Sequence, residues 1–456
     1  MTKPVNEREI VLAVLMEITE NGQYSHVILR DVLAKYQYLE KRERAFITRV
    51  TEGTLEHMIE IDYILDQFSK TKVKKMKPVI RNILRSAVYQ MKYMDSVPDR
   101  AACSEAVKLA VKKGFSGLKG YVNGVLRSVA RGLDKVEYPE DGLKALSVRY
   151  SCPEWILELW KMEYSMEQME KMLRDFQEEK PLTIRCCQNK ISPEELKVWL
   201  EEEGIRVNVH PYLPYALEIS GFDYLDGIRA FQEGMFTVQD VSSMLVAEVA
   251  DPKPGDLVID VCAAPGGKSL HTAEKLKMAE KGTEKHGHVE ARDLTEYKVE
   301  LIRENIRRMG LDNISALRAD ATVFDEAVKG SADLVIADLP CSGLGVLGKK
   351  TDLKYKASPE GTEELAELQK KILGCVQAYV KPGGVLVYST CTVNPKENRD
   401  NVRWFLEQYP EFEPEGLTER LCSELREESG DGWIQLLPGI HKSDGFFIAR
   451  FVRKKG

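Results

Sequence analysis

Short apolar runs alternate with helical segments through the C-terminal half of the chain, from about residue 236 to residue 456. Leu257–Asp260, Leu334–Ala337 and Val385–Tyr388 are bounded by Asp, Gly or Pro, as buried parallel strands are. Helical segments such as Tyr297–Met309 separate them. This alternation predicts a doubly wound, Rossmann-like α/β domain over residues 236–456, with ligands bound at the carboxyl ends of its strands.

The rest of the 456 residues divides into two regions of different character, so we predict three domains. Residues 1–133 carry apolar stripes at helical spacing, for example from Ile80 to Val88, and predict an all-α bundle. Residues 145–235 mix helices with strand-like runs. There Ser192 and Pro193 open a helix that is followed by two alternating runs, which predicts a small α+β domain of ferredoxin-like or RNA-recognition-like type.

Composition argues against several classes of protein. No apolar run approaches the roughly 18 residues that a membrane span needs, so we expect no membrane association. The nine cysteines form no CxxC pair, which argues against a zinc cluster and fits reduced thiols better than a disulfide framework. We therefore expect a cytoplasmic protein without a bound metal.

The formal net charge of −7 hides an asymmetry along the chain. Residues 1–131 hold 23 Lys and Arg against 15 Asp and Glu, a net charge of +8, whereas the rest carries −15. The basic residues concentrate in two groups, Lys70, Lys72, Lys74, Lys75, Lys77, Arg81 and Arg85, and then Lys108, Lys112, Lys113 and Lys119. This asymmetry predicts that a polyanion docks on the N-terminal domain, although an ordinary solvated helix face would carry the same charges.

A glycine-containing loop follows the first predicted strand of the α/β domain and precedes a helix. Its residues are Cys262, Ala263, Ala264, Pro265, Gly266, Gly267 and Lys268. Small residues let a ligand approach the backbone, and the start of a helix offers free N–H groups. The loop lacks the spacing of a phosphate-binding Walker loop, so it predicts a cofactor site of another kind. The alternative is a tight turn that binds nothing.

Two acidic residues end the next two strands. Asp293 follows the second strand, where an acid accepts hydrogen bonds from ribose hydroxyls, or else caps the following helix. Asp320 follows the third strand, where it suits the amino group of an adenine, although its position alone favours an ordinary turn residue.

Two cysteines lie at the ends of later strands. Cys341 occurs in Asp338-Leu339-Pro340-Cys341, and Cys391 occurs in Ser389-Thr390-Cys391-Thr392. A free cysteine is most often an inert buried residue. Two thiols at strand ends beside a presumed cofactor loop instead predict an enzyme that uses a sulfur nucleophile.

These motifs together carry a family resemblance. Asp260–Ser269, Asp338–Gly345 and Tyr388–Asn398 resemble the motif set of the RNA cytosine-C5 methyltransferases, the Nop2/Sun family. Ser86–Met91 and Tyr121–Arg127 resemble the NusB-like RNA-binding domain. The fusion of the two is similar to bacterial 16S rRNA methyltransferases of this family, and the resemblance covers essentially the whole chain.

The resemblance implies S-adenosylmethionine as the cofactor. It implies that Cys262–Lys268 form the cofactor loop, that Asp293 holds the ribose and that Asp320 holds the adenine. It further places Asp338 between the cofactor and the target base, as both a cofactor-binding and a catalytic residue.

The resemblance also implies roles for the two thiols. Cys391, in the Thr-Cys motif, would add to carbon 6 of cytosine so that carbon 5 can accept a methyl group, and Cys341 would assist release of the product. We expect 16S rRNA as the partner and a monomeric enzyme. A tRNA substrate, a DNA-type mechanism in which Cys341 attacks, and a NusB-type assembly factor with a vestigial methylase are the alternatives.

Overall fold

The computed structural model describes residues 6–455, and its contacts divide the chain into two units. The first unit, here called the helical unit, contains Met1–Gln177 and Leu347–Ala357. The second, here called the sheet unit, contains Glu178–Val346 and Ser358–Gly456.

The elements are numbered in chain order. The α-helices are α1 Glu7–Thr19, α2 Ser25–Lys35, α3 Lys41–Glu56, α4 Met58–Phe68, α5 Pro78–Tyr93, α6 Asp99–Lys112, α7 Lys119–Gly132, α8 Gly142–Arg149, α9 Glu154–Lys161, α10 Met166–Asp175, α11 Pro193–Glu202, α12 Arg229–Gln232, α13 Val241–Ala250, α14 Gly267–Ala279, α15 Glu296–Met309, α16 Leu353–Lys356, α17 Pro359–Val376, α18 Arg399–Gln408 and α19 Ser423–Arg426. The strands are β1 Leu182–Cys186, β2 Arg206–Val209, β3 Ala216–Ser220, β4 Phe236–Val238, β5 Leu257–Asp260, β6 His288–Asp293, β7 Ile314–Arg318, β8 Ala332–Asp338, β9 Val380–Thr390, β10 Phe412–Pro414, β11 Trp433–Leu436 and β12 Phe446–Arg453. Short 3-10 helices lie at Val73–Lys75, Ser116–Leu118, Leu133–Lys135, Leu225–Gly227, Glu326–Val328, Gln377–Tyr379, Pro395–Glu397 and Thr418–Arg420.

The helical unit packs around α5, and most residues of this helix are buried. Tyr89 on this helix lies against α3 at Gly53, where an added Cβ would come within 2.1 Å of the tyrosine ring. Only glycine permits so close a contact at that point. The all-α fold predicted for the N-terminal domain is confirmed over its described residues.

Helices α8 to α10 group with the helical unit, whereas the sequence prediction placed residues 145–235 in one small domain. The Ser151 hydroxyl accepts a hydrogen bond of 3.0 Å from the Glu60 backbone N–H on α4. An apolar stripe predicts a helix but does not say which neighbour covers it. Helices α9 and α10 could therefore be predicted from the sequence, but their packing partner could not, and α8 was not predicted.

The segment 347–357 belongs to the helical unit although it follows the Cys341 motif in the chain. The buried Asp352 carboxylate accepts hydrogen bonds from the Ser25 hydroxyl at 2.5 Å and the Ser25 N–H at 3.1 Å. Lys354 donates to the Glu56 carbonyl at 2.8 Å, and burial lowers the pKa of Lys354 to about 8. These contacts hold the segment within the helical unit.

The sheet unit contains two sheets. The smaller is antiparallel with strand order β2-β3-β1-β4 and forms the predicted small α+β layer. Helix α11 begins in a capping box, in which Ser192 accepts from the Glu195 N–H and the Glu195 side chain accepts from the Ser192 N–H.

The larger sheet runs β10-β12-β9-β8-β5-β6-β7, with β11 paired to β12. Strands β5 to β9 are parallel to one another, and β10, β11 and β12 extend the sheet in antiparallel pairs. The strand order reverses between β5 and β8, so a crevice opens at their carboxyl ends. This confirms the Rossmann-like fold class, while the antiparallel edge was not predicted.

No helix within residues 6–455 is both long enough and apolar enough to cross a membrane.

Candidate active site

The predicted cofactor loop lies at the carboxyl end of β5 and runs directly into α14. Gly266 adopts a left-handed conformation with φ 107°, and its N–H donates to the Ala263 carbonyl at 2.7 Å. The Ala263 N–H in turn donates to the Arg292 carbonyl on β6 at 2.8 Å. The tight turn therefore brings a glycine backbone and the start of a helix to the crevice, which is a favourable place for a polar ligand.

Asp260, at the end of β5, forms hydrogen bonds to residues at both ends of this loop. One of its carboxylate oxygens accepts the Ser269 hydroxyl at 2.5 Å, and the other accepts the Cys262 N–H at 3.4 Å. Burial raises the pKa of Asp260 to about 7, although the Ser269 hydrogen bond acts in the opposite direction. The carboxyl group thus ties both ends of the loop together.

Asp293 ends β6 and lies beside the same loop, with 3% of its surface exposed. Its carboxylate accepts the Ala264 N–H at 3.0 Å and the Leu294 N–H at 2.7 Å, and Lys298 lies 3.1 Å away. The alternative role of helix cap falls to Thr295, which accepts from the Lys298 N–H at the start of α15.

Asp320 is exposed beyond the end of β7. Its carboxylate accepts the backbone N–H of Thr322 at 2.9 Å and the Thr322 hydroxyl at 2.8 Å, as a turn residue does. It also lines a cavity of about 360 Å³ together with Phe324 and Tyr379. The hydrogen bonds of Asp320 are therefore those of a turn residue. The adjacent cavity leaves room for a ligand beside its carboxylate.

Asp338 ends β8 and is held between two partners. Lys268 of the loop lies 2.7 Å from one carboxylate oxygen, and the Ser389 hydroxyl donates to the other at 2.7 Å. Burial acts to lower the pKa of Lys268, but Asp338 outweighs it and the net pKa is raised. Lys268 also lies over the Phe446 ring, 5.2 Å from its centroid. A charged pair therefore connects the cofactor loop to the end of β8.

The two predicted thiols meet. The sulfur atoms of Cys341 and Cys391 are 3.3 Å apart, and both side chains are partly exposed. The Gly345 N–H donates to the Cys391 carbonyl at 3.1 Å and so joins the two loops through the backbone. The pKa of Cys341 lies well above its ordinary range because of the hydrogen bond to Cys391, burial, and the negative charges of Cys391 and Glu397. The two thiols therefore share one site, in which a second negative charge is disfavoured.

A buried polar cluster beneath the thiols escaped the sequence prediction. It contains Ser342, Gln369, Thr392, Asn394 and Glu397, all of them buried. The run Asn394-Pro395-Lys396-Glu397-Asn398 directly after the Cys391 strand was the available signal, because charged and amide side chains so close to a buried strand end need partners.

Comparison with protein-family models matches three parts of the chain. Residues 247–452 match 16S rRNA methyltransferase RsmB/F, residues 5–131 match the NusB family, and residues 152–222 match the RsmF/B-like methyltransferase, ferredoxin-like domain.

Individual relatives match over the whole length. The probable ribosomal RNA small subunit methyltransferase B of Bacillus subtilis (strain 168) is 39% identical and covers 100% of both chains. The crystal structure of PH0851 covers 99% of this chain and 100% of its own, with a TM-score of 0.81 and 27% identity. The structure of NSun6 from Pyrococcus horikoshii with SFG covers 67% of this chain and 99% of its own, at a TM-score of 0.57 and 24% identity, and shows likeness of fold.

Proposed function

The chain belongs to the RsmB/F family of 16S rRNA methyltransferases, which use S-adenosylmethionine, and on this premise we propose that it methylates carbon 5 of a cytosine in 16S rRNA through a covalent bond to Cys391. One observation carries the proposal. Two sulfur atoms lie 3.3 Å apart at the ends of β8 and β9, on one side of β5, the strand that carries the cofactor loop. Methyl transfer to an oxygen or a nitrogen requires no thiol, whereas methylation at a carbon of this kind does.

The residues present fit S-adenosylmethionine. The left-handed turn at Gly266 leads into the start of α14, where the backbone of Gly267 is partly exposed. We assign Cys262–Lys268 to the cofactor loop, Asp293 to the ribose hydroxyls and Asp320 to the adenine amino group. Each carboxylate oxygen has two acceptor positions, so Asp293 can hold a ligand while it keeps its backbone contacts. The bound cofactor would supply an electrophilic methyl group.

Carbon 5 of cytosine is a poor nucleophile, and addition of a thiol elsewhere on the ring makes it reactive. The Cys391 thiolate adds to carbon 6, which makes carbon 5 electron-rich enough to take the methyl group. A base then removes the proton from carbon 5, and the bond between carbon 6 and sulfur breaks. Only an ionised thiol is a good nucleophile, and two thiols 3.3 Å apart do not both ionise readily, so we assign the ionised thiol to Cys391 and the neutral one to Cys341. Cys341 is left for the release step.

Asp338 is placed to recognise the base. It pairs with Lys268, and its carboxylate can accept hydrogen bonds from the cytosine amino group or from a protonated ring nitrogen. Uracil presents a carbonyl oxygen where cytosine has its amino group and would be repelled. Asp338 thus supports both catalysis and the choice of base.

Covalent trapping tests the assignment of the thiols. Cys391→Ala should abolish both methylation and the protein–RNA adduct on a denaturing gel with labelled RNA. Cys341→Ala should permit attack and methyl transfer but slow release, so that a methylated adduct accumulates. Cys422→Ala, which removes another partly exposed thiol of the sheet unit, is the matched control and should behave as the wild type. An adduct with Cys391→Ala and none with Cys341→Ala would reverse the assignment.

The substrate is identified in cells. Bisulfite sequencing of 16S rRNA and tRNA from a deletion strain should reveal one 5-methylcytosine lost from 16S rRNA. A loss confined to tRNA would overturn the rRNA assignment.

We propose that the protein is cytoplasmic and monomeric. One chain supplies every residue of the site, and light scattering at working concentration can check that the protein is a monomer.

We propose that the helical unit binds RNA through the exposed lysines around Val73–Lys75. Lys74, Lys75 and Lys77 are exposed, whereas Lys112 and Lys113 already pair with Glu9. Replacing Lys74, Lys75 and Lys77 together with Ala should reduce the slope of log affinity against log salt by about 2–3, since each lysine at a phosphate contributes roughly 0.7–0.9. The double change Lys112→Ala and Lys113→Ala is the control. Equal effects in both variants, or an unchanged slope after deletion of residues 1–133, would contradict this docking surface.

A further inference from the structure

A buried carboxylate that the proposed chemistry does not use lies between the two thiol-bearing segments. Glu397 is 0% exposed and ends the 3-10 helix that follows the Cys391 strand. We propose that Glu397 is a positioning residue, which holds Cys341 and Cys391 in register and keeps the nucleophilic role on Cys391. The inference rests on the proposed function only for the roles of the two thiols.

One oxygen of Glu397 fixes the Cys341 segment. It accepts the Ser342 N–H at 2.8 Å and the Gln369 amide at 3.0 Å. The same Gln369 amide also donates to the Pro340 carbonyl at 2.8 Å. Pro340 and Ser342 are the neighbours of Cys341 on either side, so its backbone is held at both ends.

The other oxygen of Glu397 reaches the Cys391 segment. It accepts the Asn394 amide at 2.8 Å and the Ser342 hydroxyl. The Ser342 hydroxyl lies 2.8 Å from that of Thr392, the residue next to Cys391. The residues that follow the two thiols are therefore joined to one carboxylate, and loss of that carboxylate would release both.

The charge of Glu397 acts on the thiols as well. Burial raises the pKa of Glu397, but all four of its hydrogen bonds come from N–H or O–H donors and act to lower it, since such donors favour the ionised carboxylate. A negative charge beside Cys341 disfavours a second one there, in the same direction as the hydrogen bond to Cys391 and burial. The charge of Glu397 therefore acts against ionisation of Cys341, in keeping with the nucleophilic role proposed for Cys391.

Glu397→Gln is the sharpest perturbation. Whichever way the amide is turned, its NH2 group faces two donors, so two hydrogen bonds and the charge are lost at constant shape. Glu363→Gln is the matched control, because Glu363 is 63% exposed on the same unit and pairs with Lys396 at 2.7 Å. The double variant Asn394→Asp with Glu397→Gln is the rescue. In this variant the carboxylate introduced by Asn394→Asp accepts a hydrogen bond from the NH2 group introduced by Glu397→Gln. The side-chain oxygen at position 397 still accepts from the Ser342 N–H and the Gln369 amide.

The first measurement is alkylation by iodoacetamide in the absence of RNA and cofactor, with each cysteine followed by peptide mass spectrometry. We expect Cys391 to react faster than Cys341 in the wild type. Glu397→Gln should reduce the ratio of the two rates about tenfold, the change that one pKa unit produces. Glu363→Gln should leave the ratio unchanged, and the double variant should restore it.

The second measurement is single-turnover methylation. Glu397→Gln should slow methyl transfer by about 10- to 100-fold, the scale of a small misplacement of reacting groups, while RNA affinity is unchanged. A folded Glu397→Gln protein with the wild-type alkylation ratio and rate would overturn the inference. So would a folded double variant that stays at the Glu397→Gln level.

A separate variant covers the case in which Glu397→Gln does not fold. Ser342→Ala removes only the hydroxyl link and should still reduce the alkylation ratio, so an unchanged ratio would refute the proposal. Alkylation needs no RNA, so it judges Glu397 independently of the substrate. If the ratio responds as expected but no RNA gains 5-methylcytosine, the proposed function fails and the positioning role stands.

Discussion

A buried ion pair connects the small sheet to the helix that begins at the cofactor loop, and its removal should destabilise the sheet unit strongly. Arg185 on β1 pairs with Glu274 on α14, with 0% and 3% of the two side chains exposed. Arg185 also donates to Gln239 at 2.8 Å. Burial acts to lower the pKa of Arg185, but Glu274 outweighs it and the net pKa is raised, so the guanidinium remains charged.

Glu274→Gln keeps the shape of the side chain and removes its charge. A buried guanidinium without its counter-charge costs about 3–5 kcal/mol, because the desolvation penalty is no longer offset. For a domain of this size that corresponds to a fall in Tm of roughly 6–20 °C. The control is Lys277→Ala on the same helix, whose pair with Asp312 is 39% and 79% exposed. Such a surface pair contributes at most about 1 kcal/mol.

Thermal unfolding followed by circular dichroism measures both variants in the full chain. The double variant Arg185→Met with Glu274→Met should recover most of the lost stability, because the buried charge is removed together with its partner. A Tm for Glu274→Gln within the range of Lys277→Ala, or a double variant no more stable than the single one, would refute the reasoning.

Three further perturbations test the site. Asp293→Ala should weaken S-adenosylmethionine binding by about 1–3 kcal/mol, the scale of a lost hydrogen bond at a buried polar group, and unchanged affinity by calorimetry would remove Asp293 from the site. Asp260 has a folded pKa raised to about 7 from an ordinary 3.8, so the folded state keeps a proton that the unfolded state releases, and stability should fall as pH rises between these values. Unfolding at pH 5 and pH 8 should show a smaller difference in Asp260→Asn than in the wild type, and equal differences would contradict the assignment. Gly345→Ala places a Cβ 2.0 Å from the Gly445 carbonyl, so it should cost about 1–3 kcal/mol and slow methyl transfer, whereas an unchanged Tm would show that the two backbones can separate.

Residues close together in the chain determined the elements and the general place of the chemistry. Periodicity of apolar residues predicted the helical bundle, and short bounded runs predicted the parallel strands. Cys341 and Cys391 were predicted to lie near each other because carboxyl ends of parallel strands share one edge of a sheet. The glycine loop could be predicted from its position in the chain, because it directly follows β5 and precedes α14.

Only the tertiary structure decided which distant groups meet and what each does to the other. The 3.3 Å between the two sulfurs depends on the register of β8 against β9, and Glu397 reaches Ser342 only when that register is set. The pairing of Arg185 with Glu274 depends on how the small sheet packs against α14. A local pattern sets the conformation of a segment and the face that it buries, because both depend on near neighbours. The partner of a buried polar group is set by packing between segments far apart in the chain, and no local pattern records it.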